Sequence, residues 1–229
     1  MQFTHSDFQD QLVRGLAHRM NNILTLFHGY LGLVLENQTL DQSTQDGLAR
    51  IKHGAAQASE LIDRTQALVR PSAIVWRTID LTEFLRFLRP GFDHLRGPRT
   101  TIDLVIADDT PQIQGDASRI KMAMLELVKN ACEATFSTGG HVRIELRGEA
   151  KADAHPQWAV FSVTDDGPGI PGECHEKVFA PFFSMKKKQN AAGLGLTLAA
   201  SFAELHKGRI SLQSAPGRTV FELRLPAAT

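Results

Sequence analysis

Residues 158–170 read Trp-Ala-Val-Phe-Ser-Val-Thr-Asp-Asp-Gly-Pro-Gly-Ile, a β-forming run that gives way to a turn-forming one in a single step. The aromatic and β-branched residues from Trp158 to Thr164 predict a strand, and Asp-Asp-Gly-Pro-Gly predicts a tight loop at its end. An ionised carboxylate where a strand stops, Asp165, can accept a hydrogen bond from an exocyclic amine such as that of adenine. Gly167 and Gly169 permit backbone angles and close approaches that a Cβ forbids.

Three further stretches stand around this one in a fixed order. Upstream, residues 116–136 carry strong helical periodicity and contain Glu126-Leu127-Val128-Lys129-Asn130-Ala131. Glu126 and Asn130 are one helical turn apart and share a face, so both can reach one Mg-phosphate group. Mg²⁺ prefers oxygen ligands and keeps several waters, so one or two side chains suffice. Downstream come Phe179-Ala180-Pro181-Phe182-Phe183-Ser184-Met185-Lys186 and then Gly193-Leu194-Gly195-Leu196, which opens a helix. A helix N-terminus offers free N–H groups and a favourable dipole to phosphate, and Lys186 to Lys188 can answer phosphate charge. Singly, each stretch has a plain structural reading: a turn, a solvated helix face, core phenylalanines, a wet lysine loop. Their order, in matching secondary-structure contexts, points to an ATP site.

Outward from the four stretches, short strands are expected at 79–81, 101–106, 141–147, 209–213 and 219–225. Helices are expected after Leu81 and near 194–206. Interspersed elements of this kind predict an α+β domain over 73–229, a two-layer α/β sandwich with a mixed sheet and helices on one face.

The N-terminal third is different. Leu12, Leu16, Ile23, Leu26, Phe27, Tyr30, Leu31, Val34 and Leu35 recur at three- and four-residue steps. After a turn at 37–41, Leu48, Ile51, Ala55, Ala58, Leu61, Ile62, Thr65 and Leu68 resume the period until Pro71. That spacing predicts two amphipathic helices, each about 45 Å long for about 30 residues, over 1–72. A bare antiparallel hairpin cannot surround its own apolar stripe, so a homodimeric four-helix bundle is expected.

The bulk numbers narrow the field. Lys plus Arg and Asp plus Glu number 25 each, and a zero net charge argues against a dedicated nucleic-acid binder. Cys132 and Cys174 lack metal-ligand spacing. No membrane span and no secretory signal is read, so the expected location is cytoplasmic. Taken as a whole protein the chain has no sensor domain of its own; taken as part of one, the sensor lies outside it.

The four stretches resemble the N, G1, F and G2 boxes of two-component sensor histidine kinases. These share the Bergerat-type ATP-binding fold with gyrase B, heat-shock chaperone and mismatch-repair ATPases. The resemblance spans 81–225, and Asp116, Arg119, Gly208 and Gly217 fit it too. It implies that Asn130 holds Mg²⁺, that Asp165 reads adenine, and that Phe179 to Gly195 form an ATP lid, with Gly167, Gly169, Lys186, Gly193, Gly195 and Leu196 against the nucleotide. Leu16-Ala17-His18-Arg19-Met20-Asn21-Asn22 looks like the H box of the dimerisation and phosphotransfer hairpin. It implies that His18 is the phospho-acceptor and that the partner is a response-regulator receiver domain. Asn22 would help to orient the water that dephosphorylates that partner. Two departures stand out. Most relatives carry an acid directly after the acceptor His, where this chain has Arg19. Many have Asn where this chain has Glu126, a carboxylate suited to activating water. Two other functions therefore stay open here: a phosphotransfer relay without autokinase activity, and a hydrolytic ATPase using Glu126.

Overall fold

The computed structural model describes residues 5–36, 40–69, 74–136, 139–150, 157–185 and 192–228, with side chains from Gly15 onward except that of Val69. They divide into two compact units, a helical one ahead of residue 73 and an α/β one after it.

The helical unit is α1 (His5–Leu35) packed on α2 (Gln42–Val69). Asp41 starts α2 by accepting from the Thr44 N–H at 3.0 Å and the Thr44 hydroxyl at 2.6 Å, which satisfies donors that a helix start otherwise orphans. These two bonds, the hydroxyl's first, hold the Asp41 carboxyl below the ordinary carboxylate range. Two apolar stripes run along α1. Ala17, Leu24, Leu31 and Leu35 form the seam with α2, where Ala55 and Ile62 are buried in turn. Leu16, Met20, Ile23, Phe27, Tyr30 and Val34 form a second stripe at alternating four- and three-residue steps, and this one is exposed.

The second unit is built on a five-stranded mixed sheet in the order β2-β4-β5-β7-β6. Its strands are β2 (Thr100–Ile106), β4 (Gly140–Glu149), β5 (Trp158–Asp165), β6 (Arg209–Ala215) and β7 (Arg218–Pro226). Only β2 and β4 run parallel; the other pairs are antiparallel. Three helices, α3 (Leu81–Leu95), α4 (Ala117–Thr135) and α5 (Gly195–Leu205), lie on the sheet. Along β4, Val142, Ile144 and Leu146 are buried, while His141 and Arg143 between them are exposed. Helices therefore cover one face only, as the two-layer reading expects. On the other face Arg147 and Arg224 sit in register on either side of Val160. Both are tied to Glu222, at 3.1 and 2.9 Å, and their alkyl stems cover the apolar strand beneath.

A small antiparallel pair, β1 (Arg77–Ile79) with β3 (Ile113–Gly115), carries the chain into the domain. The sequence reading missed β3, which at three residues is too short to show a period. It ends where Asp116 caps α4, accepting from the Ser118 and Arg119 N–H groups. The same carboxylate accepts from the Val75 N–H at 3.1 Å. Phe92, Ile120, Met124, Leu127 and Phe161 are each no more than 2% exposed and fill the space between helices and sheet.

Candidate functional site

Four elements of the α/β unit bear the residues singled out from the sequence. Glu126 and Asn130 both lie on α4, half-buried, and Leu127, Val128 and Ala131 between and beside them anchor the opposite face in the core. Asp165 is the last residue of β5 and only 3% exposed. Its Oδ1 accepts from the Gly167 N–H at 3.0 Å. Burial, opposed by that bond and helped by neighbouring Asp166, pushes its pKa up to about 6. Asp166 is engaged differently: its Oδ1 accepts from the His141 N–H at 2.8 Å, pinning it to β4. Strand alternation thus separates two adjacent aspartates, one turned into the domain and one tied to the neighbouring strand.

The Gly-Pro-Gly loop is lashed on both sides. A Cβ on Gly167 would come within 3.0 Å of the Ala134 Cβ, so the loop rests on the end of α4, one turn beyond Asn130. This brings Asn130 and Asp165 to one locality. On the other side the turn between β6 and β7 holds the loop. Gly217 N–H donates to the Gly167 carbonyl at 3.0 Å, and Ile170 N–H donates to Ser214 Oγ at 2.8 Å. Gly169 takes φ +82° where a Cβ would lie 2.6 Å from the Ala215 carbonyl oxygen. Ser214 Oγ in turn shares a 2.9 Å bond with Thr219 Oγ1, and Thr219 is the register partner of Asp165. The sequence reading left residues 214–218 as the connection between two strands. Its contacts with the loop join residues 44 to 50 apart, so no local pattern announces them.

Of the phenylalanines at 179–183, Phe179 packs edge-on against Phe221, with centroids 6.3 Å apart, and Phe182 is exposed at φ +64°. The Phe182 N–H donates to the Gly193 carbonyl at 2.8 Å, closing the base of the segment between them. Gly193 itself takes φ +65° with Phe182 backbone where its Cβ would be. Leu194, buried, leads into α5, and Gly195 and Leu196 supply the first turn. Asp80 and Asp116 cap α3 and α4, whereas no side chain caps α5. Its leading N–H groups are therefore left to other acceptors. Lys186 to Lys188 lie outside the described residues.

In the helical unit His18 and Asn22 stand one turn apart on α1, both exposed, as is Arg19. Cys132 is buried on α4, its thiol pushed up to about 11 by burial and by the charges of Glu133 and Asp165. Among the described residues no group of three His, Cys, Asp or Glu side chains is arranged to hold a metal. No helix there is long and apolar enough to cross a membrane.

A mixed sheet backed by helices, with a buried Asp at a strand end, a lashed glycine loop and an uncapped helix start, is the frame of a nucleotide-binding ATPase domain. Residues 115–229 match the family of histidine kinase-, DNA gyrase B- and HSP90-like ATPases, and the chain belongs to it. Over 94% of its length it is 30% identical to the sensory histidine kinase/phosphatase NtrB of Vibrio alginolyticus, and 29% identical to the sensor kinase CckA of Brucella abortus. It spans 61% and 24% of those two proteins. The mycobacterial sensor histidine kinase MprB superposes with a TM-score of 0.56 at 27% identity, over 66% of this chain and 97% of that one. What the chain carries is the ATPase core of sensor histidine kinases.

Proposed function

We propose that the chain is a histidine protein kinase core that binds Mg-ATP, phosphorylates His18 and passes the phosphoryl group to an aspartate on a response-regulator receiver domain. What supports this is that Asn130, the buried Asp165 and the uncapped α5 N-terminus belong to one unit, in a chain that also carries a helical hairpin with His18 exposed. Asp165, one oxygen of which accepts from the Gly167 N–H, accepts from the adenine amine with the other, most strongly when ionised. Gly167 and Gly169 hold the backbone where a Cβ would intrude. The free N–H groups of Gly195 and Leu196 face phosphate, with Lys186 supplying charge from the lid.

The side chains present fit Mg²⁺. The Asn130 amide oxygen and the Glu126 carboxylate are hard oxygen donors one turn apart, enough for an ion that takes most of its ligands from phosphate and water. When bound, the ion neutralises charge on the transferring phosphoryl group. The protein's own part is positioning. A neutral His18 nitrogen attacks the γ-phosphorus in line, ADP leaves with the bonding pair, and catalysis rests mainly on alignment and charge neutralisation. Asn22, exposed one turn from His18, orients water when the phosphorylated receiver is hydrolysed.

The exposed α1 stripe supports homodimerisation. Its six side chains are 43–67% exposed, so completing their burial stabilises by about 1 kcal/mol apiece. Over two copies that reaches the scale of the association cost, about 4–15 kcal/mol. A second hairpin across this stripe makes a four-helix bundle.

Incubation with γ-labelled ATP and Mg²⁺ tests the reading. Label that is acid-labile, base-stable and absent from His18→Ala is expected. A wild-type protein that binds ATP yet takes no label contradicts it.

A further inference from the structure

Phosphorylating an imidazole creates a proton problem. One ring nitrogen attacks phosphorus while the other carries hydrogen, so the ring is cationic until that proton leaves. The residue following His18 is Arg19, which has no acceptor atom. The structure holds a carboxylate elsewhere. On α2, Asp63 accepts from Asn21 Nδ2 at 3.0 Å, across the helical seam.

The placement follows from helix geometry. At about 100° per residue, Asn21 lies about 40° around α1 from Ala17, which faces α2, and about 60° from His18. Asn21 therefore stands between the seam and the acceptor histidine, and Asp63 flanks the seam on His18's side. The exposed apolar stripe lies on the opposite side. Along the axis, three residues separate His18 from the Asn21–Asp63 level, about 4.5 Å. Three other acids of the hairpin are engaged elsewhere. Asp41 caps α2, Asp46 accepts from Gln42, and Glu60 pairs with Arg64 at 2.7 Å.

Asn21 has a cost that packing does not explain. Since a carboxylate only accepts, the amide must turn its NH₂ to Asp63. Its Oδ1 is then turned away from solvent with no hydrogen-bond partner among the described residues, whereas an apolar side chain would leave no polar atom there. At the neighbouring seam positions the chain uses Ala17, Leu24 and Leu31. An asparagine here gives up stability and fixes a carboxylate.

We propose that Asp63, held by Asn21, is the proton acceptor for His18. The attacking nitrogen forms its bond to phosphorus as the phosphorus–oxygen bond to ADP breaks. The hydrogen on the second nitrogen passes to an Asp63 oxygen, leaving the phosphorylated ring without its positive charge, and the carboxylic acid returns the proton to water. The inference rests on His18 being the phospho-acceptor.

Asp63→Asn is isosteric and keeps an acceptor for Asn21, so the hairpin is expected to fold. Its rate of labelling from γ-labelled ATP should fall about 100-fold, the lower end of general-base catalysis, with KM for ATP unchanged. Asp63→Glu should recover part of the rate. Nitrogen-15 spectra of the His18 ring should show a change in tautomer population in Asp63→Asn. Wild-type rates together with an unchanged ring spectrum in Asp63→Asn overturn the proposal. If the wild type binds ATP without taking label, the kinase reading fails on its own account and the spectra still judge Asp63. A tautomer shift upholds its contact with His18, and none discards it.

Discussion

Replacing Asp165 by Asn removes a charge that the folded domain holds at a cost, and nucleotide affinity and stability should respond in opposite directions. Burial raises the carboxyl from 3.8 to about 6, which at 1.36 kcal/mol per tenfold amounts to about 3 kcal/mol against the ionised form. Because the folded value lies above the unfolded one, the protonated side chain favours the fold at low pH. That contribution is lost as pH rises through about 6. The uncharged Asn variant should therefore be the more stable protein at pH 7.5, by up to about 3 kcal/mol, with the gap closing as pH falls towards 3.8. Adenine binding runs the other way: Oδ1 already accepts from the Gly167 N–H, and only the carboxylate leaves the second oxygen a full acceptor for the amine. With a value of about 6, roughly one Asp165 in eleven is ionised at pH 5, so wild-type affinity for ADP should drop about tenfold between pH 7.5 and 5. Asp165→Asn should bind weakly throughout and lack that step, while phosphate titration affects both proteins alike. Calorimetric titration of ADP and thermal melting across this range provide the measurements. An Asn variant that binds ADP as tightly as wild type, with a parallel melting profile in pH, refutes the reasoning.

Other expectations follow from single contacts. Gly193→Ala puts a Cβ 2.5 Å from the Phe182 carbonyl carbon at φ +65°. Strain of about 1–3 kcal/mol should break the Phe182–Gly193 bond and weaken ATP binding in titration, whereas Gly172→Ala, with open space around it, should be silent. Phe27→Glu places a charge in the exposed stripe and should convert a dimer to a monomer in sedimentation; an unchanged dimer places the interface elsewhere. Met124→Ala opens a cavity beneath α4, where the side chain is fully buried, and should cost about 2–5 kcal/mol in denaturant unfolding.

The helices and most strands were legible because their signals are local. The 3.6-residue period of α1 and α2, the helical periodicity of 116–136, and the β-branched run ending at Asp165 each fit in one window. The exposed stripe was legible as apolar residues, but the separation of two stripes on α1 required knowing which one α2 covers. The candidate site was legible as its four quoted stretches and no further. Nothing near Ser214 or Thr219 shows that they brace the glycine loop, because the bracing joins β6 and β7 to residues 167–170. Asp63 was missed for the same reason: its partner Asn21 is 42 residues away, and no periodicity links a polar residue on one helix to its opposite on another. Pro90 lies within α3, although local signals would end a helix there.

Every role proposed for Asn22 and Asp63 depends on His18 being the destination of the phosphoryl group. Tandem mass spectrometry, on protein incubated with Mg-ATP and kept at neutral to basic pH, locates it directly. The phosphoryl group should be found on the His18 ring, and it should disappear from that peptide in Asp165→Asn. A phosphoryl group on any other residue, or nucleotide turnover with His18 unmodified, contradicts the account.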